Sequence, residues 1–147
     1  MVTRREFLLN SCRACLLIST AGIAASLMES CSSIKSVRAE NTPEGPLKVA
    51  LTAFTEHKQV LVRSSATEFD ILVNKKADGT FNALLMQCTH QDQPLTPTST
   101  SINCPSHGSR FDLEGNVIIS PATRRLTRYP VTVTASHILI TLTPLPA

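Results

Sequence analysis

The chain predicts an all-β domain on three grounds. From Leu47 onward, β-branched and other apolar residues alternate with polar ones in short runs at 49–51, 60–64, 71–74, 81–86, 117–119, 127–133 and 138–142. A period of two is the mark of half-buried strands. Turn chemistry separates the runs: Ala77-Asp78-Gly79-Thr80 lies between the third and fourth, and Leu113-Glu114-Gly115-Asn116 precedes the fifth. Beyond residue 46 no stretch sustains helical periodicity, and no internal repeat is present.

The 147 residues suffice for one domain of ordinary size plus an N-terminal extension. At its start, Thr3-Arg4-Arg5-Glu6-Phe7-Leu8 resembles the twin-arginine export signal, with Leu9 where a lysine is usual, and an apolar stretch at 14–28 follows. Arg4 and Arg5 are the recognition pair of such a signal, which carries folded cargo across a bacterial inner membrane. The fifteen residues of the apolar stretch, softened by Ser19, Thr20, Gly22 and Ser26, fall short of the roughly twenty that span a bilayer comfortably. Three fates stay open: lipid attachment at Cys31 in Leu27-Met28-Glu29-Ser30-Cys31, cleavage after Ala39, or retention as an anchor. Residues 1–31 therefore read as signal or anchor. Residues 32–45, rich in Ser, Glu, Asn, Thr, Pro and Gly with little to bury, read as a linker, and 46–147 as the domain.

The formal charge is only +3, with one tyrosine, no tryptophan and no basic tract, so nucleic-acid binding has no support. Discounting Arg4, Arg5, Arg13, Glu6 and Glu29 leaves eleven basic and nine acidic side chains, a nearly neutral domain. Arg110, Arg124, Arg125 and Arg128 form a local concentration, read either as a solvated basic face or as a surface that steers an acidic partner. No nucleophile has an assigned base and no glycine loop suits phosphate, so hydrolytic chemistry has nothing to rest on. His57 and His137 stand in polar surroundings without a partner at ligand spacing. Cys12 and Cys15 fall in the leader, where their spacing is incidental.

Chemistry concentrates elsewhere, in Cys88-Thr89-His90 and, after thirteen intervening residues, Cys104-Pro105-Ser106-His107. Each segment supplies one thiol and one imidazole. Thiolates are soft anionic donors that stabilise ferric iron, whereas neutral imidazoles add no charge. A mixed set therefore leaves an iron-sulfur centre less negative and easier to reduce than four cysteines would. An imidazole bound through one nitrogen keeps a proton on the other, which makes the potential depend on pH. Two Cys and two His also suit tetrahedral zinc, although zinc spacings usually group Cys with Cys and His with His.

The surroundings extend the pattern. Cys88-Thr89-His90-Gln91-Asp92-Gln93-Pro94-Leu95, Cys104-Pro105-Ser106-His107-Gly108-Ser109-Arg110-Phe111-Asp112, Gly115-Asn116-Val117 and Ser120-Pro121-Ala122 together resemble the Rieske 2Fe-2S domain, from its first cluster loop to its proline loop. The likeness covers roughly 46–147, about two-thirds of the chain. It implies an antiparallel β-sandwich with a small cluster-binding subdomain at about 86–122. It also implies one 2Fe-2S cluster, with Cys88 and Cys104 on one iron and His90 and His107 on the other. Three departures stand out. Members similar to the respiratory quinol:cytochrome c reductases carry Gly-Cys where this chain has Asp92-Gln93 and Cys where it has Ser106, and those cysteines join the two loops by a disulfide that is absent here. Ser109, whose hydroxyl donates to a bridging sulfide in the family, is kept, but the tyrosine two positions later is Phe111. The gap between the loops is also short for the family. Hydrogen bonds to sulfur spread the charge of the reduced cluster and raise the potential, so one donor kept and one lost implies an intermediate value.

The resemblance implies an electron carrier rather than a stand-alone enzyme. It would pass single electrons between a quinol or protein donor and an acceptor such as a c-type cytochrome, with a cytochrome, quinol-oxidising or oxidoreductase subunit as partner. With the export signal, it implies a periplasmic protein held at the membrane by lipid at Cys31 or by an anchor. The alternatives are the small subunit of an exported oxidoreductase of the arsenite oxidase kind, a cytoplasmic ferredoxin component of an oxygenase, and, more distantly, a structural zinc domain.

Overall fold

The computed structural model describes residues 34–40 and 45–146. Arg4, Arg5, Cys12, Cys15 and Cys31 lie outside them, as does the whole of the expected signal. In chain order the strands are β1 (Lys35–Arg38), β2 (Leu47–Ala50), β3 (Gln59–Arg63), β4 (Ile71–Lys75), β5 (Phe81–Leu85), β6 (Thr96–Pro97), β7 (Ile102–Asn103), β8 (Arg110–Phe111), β9 (Val117–Ile119), β10 (Arg128–Tyr129), β11 (Val131–Val133) and β12 (His137–Ile140), with a 3-10 turn at Leu51–Phe54. The expected all-β class is what the described residues form. Among them no helix is long and apolar enough to cross a membrane.

Three sheets result, ordered β1-β3-β4-β5-β10, β11-β12-β2 and β6-β7-β8-β9. The centre is β4, whose Ile71, Leu72, Val73 and Asn74 are all buried, the pattern of a strand covered on both faces. Alternation sorts its side chains. Ile71 and Val73 pack with Val60, Val62, Ala83, Ile138 and Ile140 in a first core between the five- and three-stranded sheets. Leu72 turns the other way and joins Leu84, Met86, Ile102, Phe111 and Leu126 in a second core under the four-stranded sheet. That second core contains Cys88 and Cys104. Fully burying each large apolar side chain stabilises the fold by about 1.5–3 kcal/mol, so both cores are substantial.

The structure corrects two boundaries. The expected linker is not all linker: Lys35–Arg38 forms β1, which pairs in parallel with β3 through registers such as Val37 with Val62. Ala39 is buried and its N–H donates to the Arg63 carbonyl at 2.9 Å. The strand was hidden because only Val37 and Ala39 turn inward, while Lys35, Ser36 and Arg38 face solvent along a charged edge. Among the described residues it is also the exception to an otherwise antiparallel set of strand pairings. The single run expected at 127–133 is two strands, because Pro130 has no N–H to donate. Tyr129 pairs with Ala83 in one sheet and Val131 with Ile140 in the other.

Candidate metal centre

Three loops at one end of the second core build the site. The first leaves β5 and is closed at its base by the Gln87–Pro94 bridge, by Cys88 N–H donating to the Gln93 carbonyl at 2.8 Å, and by Leu95 N–H donating to the Met86 carbonyl at 3.0 Å. The second connects β7 to β8. Cys104 N–H donates to the Ser109 carbonyl at 2.8 Å and Gly108 N–H to the Cys104 carbonyl at 3.1 Å, a tight turn that needs the φ of +77° at Gly108. The third carries Pro121-Ala122 and is fixed to the second by Ala122 N–H donating to Ser109 Oγ at 3.0 Å.

These loops set the predicted donors in two unlike pairs, thiol beside thiol and imidazole beside imidazole. Cys88 and Cys104 are free thiols, 1% and 3% exposed, set into the second core. His90 and His107 are exposed, with ring centroids 5.1 Å apart and planes at 87°. Burial opposes ionisation of Cys104. The backbone N–H groups of His107 and Ser106, the neighbouring Cys88 thiol and the Ser106 hydroxyl outweigh it, so its pKa lies below the ordinary thiol value. That is the form a metal takes.

The donor set fits a binuclear group, since it falls into a thiol pair and an imidazole pair. Two pairs, one sulfur and one nitrogen, match the ligation of a 2Fe-2S cluster by His2Cys2. Ser109 supports the same fit. It is fully buried, and its oxygen accepts the Ala122 N–H while its own hydrogen has no acceptor among the described residues, so a donor is left over inside the site. Phe111, also fully buried, packs in the core that holds both cysteines and offers no hydroxyl.

Supporting contacts hold the frame. Thr89 Oγ1 donates to the Arg124 carbonyl at 2.6 Å, tying the first loop to the arginine-rich segment. Asp112 accepts from the N–H groups of Glu114 and Asn116 at 2.9 and 2.7 Å, bracing the turn beyond the second loop. The Leu113 carbonyl of that turn accepts from Asn82 at 2.7 Å and Asn74 at 3.2 Å, which fastens it to β4 and β5. Gly115, at φ +84°, lets the turn press on Leu84 and Leu126, where an added Cβ would meet atoms 3.1 and 3.2 Å away.

Known proteins resemble the chain in sequence or in fold. Cytochrome b6-f complex iron-sulfur subunit 2 of Trichormus variabilis is 33% identical over 94 residues, which are 56% of this chain and 53% of that protein. The same subunit of a Nostoc species is 36% identical over 69 residues, 44% of this chain and 39% of that protein. The chain thus spans about half the length, or less, of the curated relatives it matches. Among solved structures, the plasma membrane Rieske protein of the cyanobacterium Synechocystis shares the fold with a TM-score of 0.54 at 22% identity, over 63% of this chain and 94% of that one. The complex of reduced oxygenase and oxidized ferredoxin in carbazole 1,9a-dioxygenase gives 0.52 at 21% identity, over 68% and 97%. The Rieske 2Fe-2S domain family matches residues 46–130, a span that begins just before β2, takes in all three loops of the site and ends at the Pro130 crossover. Matched over more than half its length, the chain belongs to the Rieske 2Fe-2S domain family.

Proposed function

We propose that the protein is a one-electron carrier whose Cys88 and Cys104 hold one iron, and His90 and His107 the other, of a 2Fe-2S cluster. The observation that carries this is the split of the donor set into two buried thiols and two adjacent exposed imidazoles. Such a cluster, when bound, takes up and gives back single electrons. The chain's own part is to bury the charged sulfur side in an apolar core and to present the imidazole edge to a partner. The exposed ring nitrogens suit a hydroxyl-bearing donor such as a quinol, which can hydrogen-bond to them. A c-type cytochrome or an oxidoreductase subunit is the acceptor this reading favours. The twin-arginine-like signal at Arg4 and Arg5 supports export to the periplasm as a folded protein. Cys31 or the apolar stretch would then hold the domain at the membrane.

The full chain, purified from iron-replete cells, is expected to contain two irons and two acid-labile sulfides and to give a rhombic paramagnetic resonance spectrum after dithionite reduction. Stoichiometric zinc with a silent spectrum would overturn the assignment.

The midpoint potential is expected within the span of about −150 to +300 mV for Rieske centres, and below its upper end, because no loop disulfide or tyrosine hydroxyl is present. Ser109→Ala removes the unspent donor and should lower the potential by some tens of millivolts, against ~59 mV for a tenfold shift in a one-electron equilibrium. It also strips Ala122 N–H of its acceptor, at a cost of about 1–3 kcal/mol in stability. Phe111→Tyr should raise the potential by a similar amount. Voltammetry showing no response to either substitution would mean that these side chains do not face the cluster.

A further inference from the structure

A concave groove of about 200 Å³ opens beside the first loop, lined among others by Cys88, Thr89, Arg124, Arg128, Leu126 and Leu145. None of its three cations has a charged partner among the described residues. Arg125 donates to Asn116 at 2.7 Å, but the guanidinium groups of Arg124 and Arg128 have no carboxylate partner among the described residues. One acidic residue, Asp92, shares the lining, and it accepts from Gln87 at 3.0 Å. The groove is mechanically joined to the cluster loop, since Thr89, between Cys88 and His90, donates to the Arg124 carbonyl. At its rim Leu145 is 43% exposed, held in place by its N–H bond to the Arg128 carbonyl at 2.8 Å.

We propose that this groove docks an acidic electron-acceptor protein, whose carboxylates pair with Arg124 and Arg128 and whose apolar edge rests on Leu145. The proposal rests on the electron-carrier reading above. It gives the domain two separate exits, the imidazole edge for the donor and the Cys88 side for the acceptor. In the step at the groove, the reduced domain loses one electron and the oxidised acceptor gains it. No proton need move, and a guanidinium cannot give one up. Carboxylates are the complementary charge, and Arg binds them in a bidentate fork. Concavity favours a protruding side chain over a flat anionic membrane.

The test uses the full chain with its cluster, reduced and then mixed with an anionic oxidant, ferricyanide, or a cationic one, tris(phenanthroline)cobalt(III). Ferricyanide oxidation should slow with added salt. The double variant Arg124→Gln with Arg128→Gln should lower that rate about tenfold, the low end of electrostatic steering, and flatten the salt dependence. Oxidation by the cobalt complex should not slow, and Arg38→Gln on β1 should change neither rate. Poly-L-glutamate should compete with ferricyanide on the parent protein and not on the double variant. Unchanged ferricyanide kinetics in a double variant with a normal reduced spectrum would overturn the docking site alone. So would loss of binding to phosphatidylglycerol vesicles with oxidation rates unaltered, which would assign the arginines to lipid. A parent protein without the reduced cluster spectrum would overturn the carrier reading itself.

Discussion

Cys104→Ser and Cys88→Ser should each yield protein without a cluster and with a loosened second core. The two loops have no disulfide between them, and both cysteines are free among the described residues. A metal group that binds only the folded loops contributes its binding energy to folding. Losing it should cost several kcal/mol, on the order of a structural metal site in a small domain. The damage should be local. The first core, built on Val60, Val62, Ile71, Val73, Ile138 and Ile140, contains neither cysteine, so the strand signal in circular dichroism should survive while the melting temperature falls. Serine at 104 also keeps the N–H that donates to the Ser109 carbonyl, so the turn's backbone is not what the substitution removes. Cys12→Ser and Cys15→Ser should leave iron, sulfide and spectrum unchanged. A normal cluster spectrum in Cys104→Ser protein would refute the role given to its thiolate.

What could be read in advance follows from how local each feature is. The runs that became β3 and β12 carry a period of two within a few residues, β4 and β9 are short apolar runs, and the four donors sit in two short segments with characteristic neighbours. The strand β1 escaped notice because a partly polar edge strand gives no alternation of hydrophobicity to see. The two-residue strands β6, β7 and β8 are shorter than any periodic signal. Most of the frame around the site was equally silent, since Thr89 reaches the Arg124 carbonyl across 35 positions and Asn74 reaches the Leu113 carbonyl across 39. Such pairings are decided by how sheets stack. Two parts of the frame were legible: Asp112, whose place after the second loop suits a brace for the backbone beyond it, and Ser109, whose likeness to the family's donor serine pointed to a side chain that joins two loops.

The mature protein should retain Lys35–Arg38, and a chain beginning at Glu40 should be markedly less stable than one beginning at Ile34. Removing residues through Ala39 deletes the ladder to β3, the Ala39 N–H bond to the Arg63 carbonyl, and the packing of Val37 and Ala39 on the first core and of Ile34 on the second. At about 1.5–3 kcal/mol for a fully buried large aliphatic side chain, and less for the small Ala39 and the partly buried Val37 and Ile34, the loss is on the order of 3 kcal/mol. A domain typically holds only about 5–15 kcal/mol in total. The deletion would also bare β3, with Val60 and Val62 behind it, as a new sheet edge open to association. Signal cleavage after Ala39 would therefore discard a structural strand, whereas lipidation at Cys31 or retention of the apolar stretch keeps it. A mass measurement of the exported protein should accordingly place its N-terminus before Lys35. Cys31→Ala should change only the membrane tether, and Arg4→Lys with Arg5→Lys should leave the cluster-bearing protein in the cytoplasm. A mature N-terminus at Glu40 with unimpaired thermal stability would show that β1 is dispensable. Normal export of the double-lysine variant would remove the twin-arginine route.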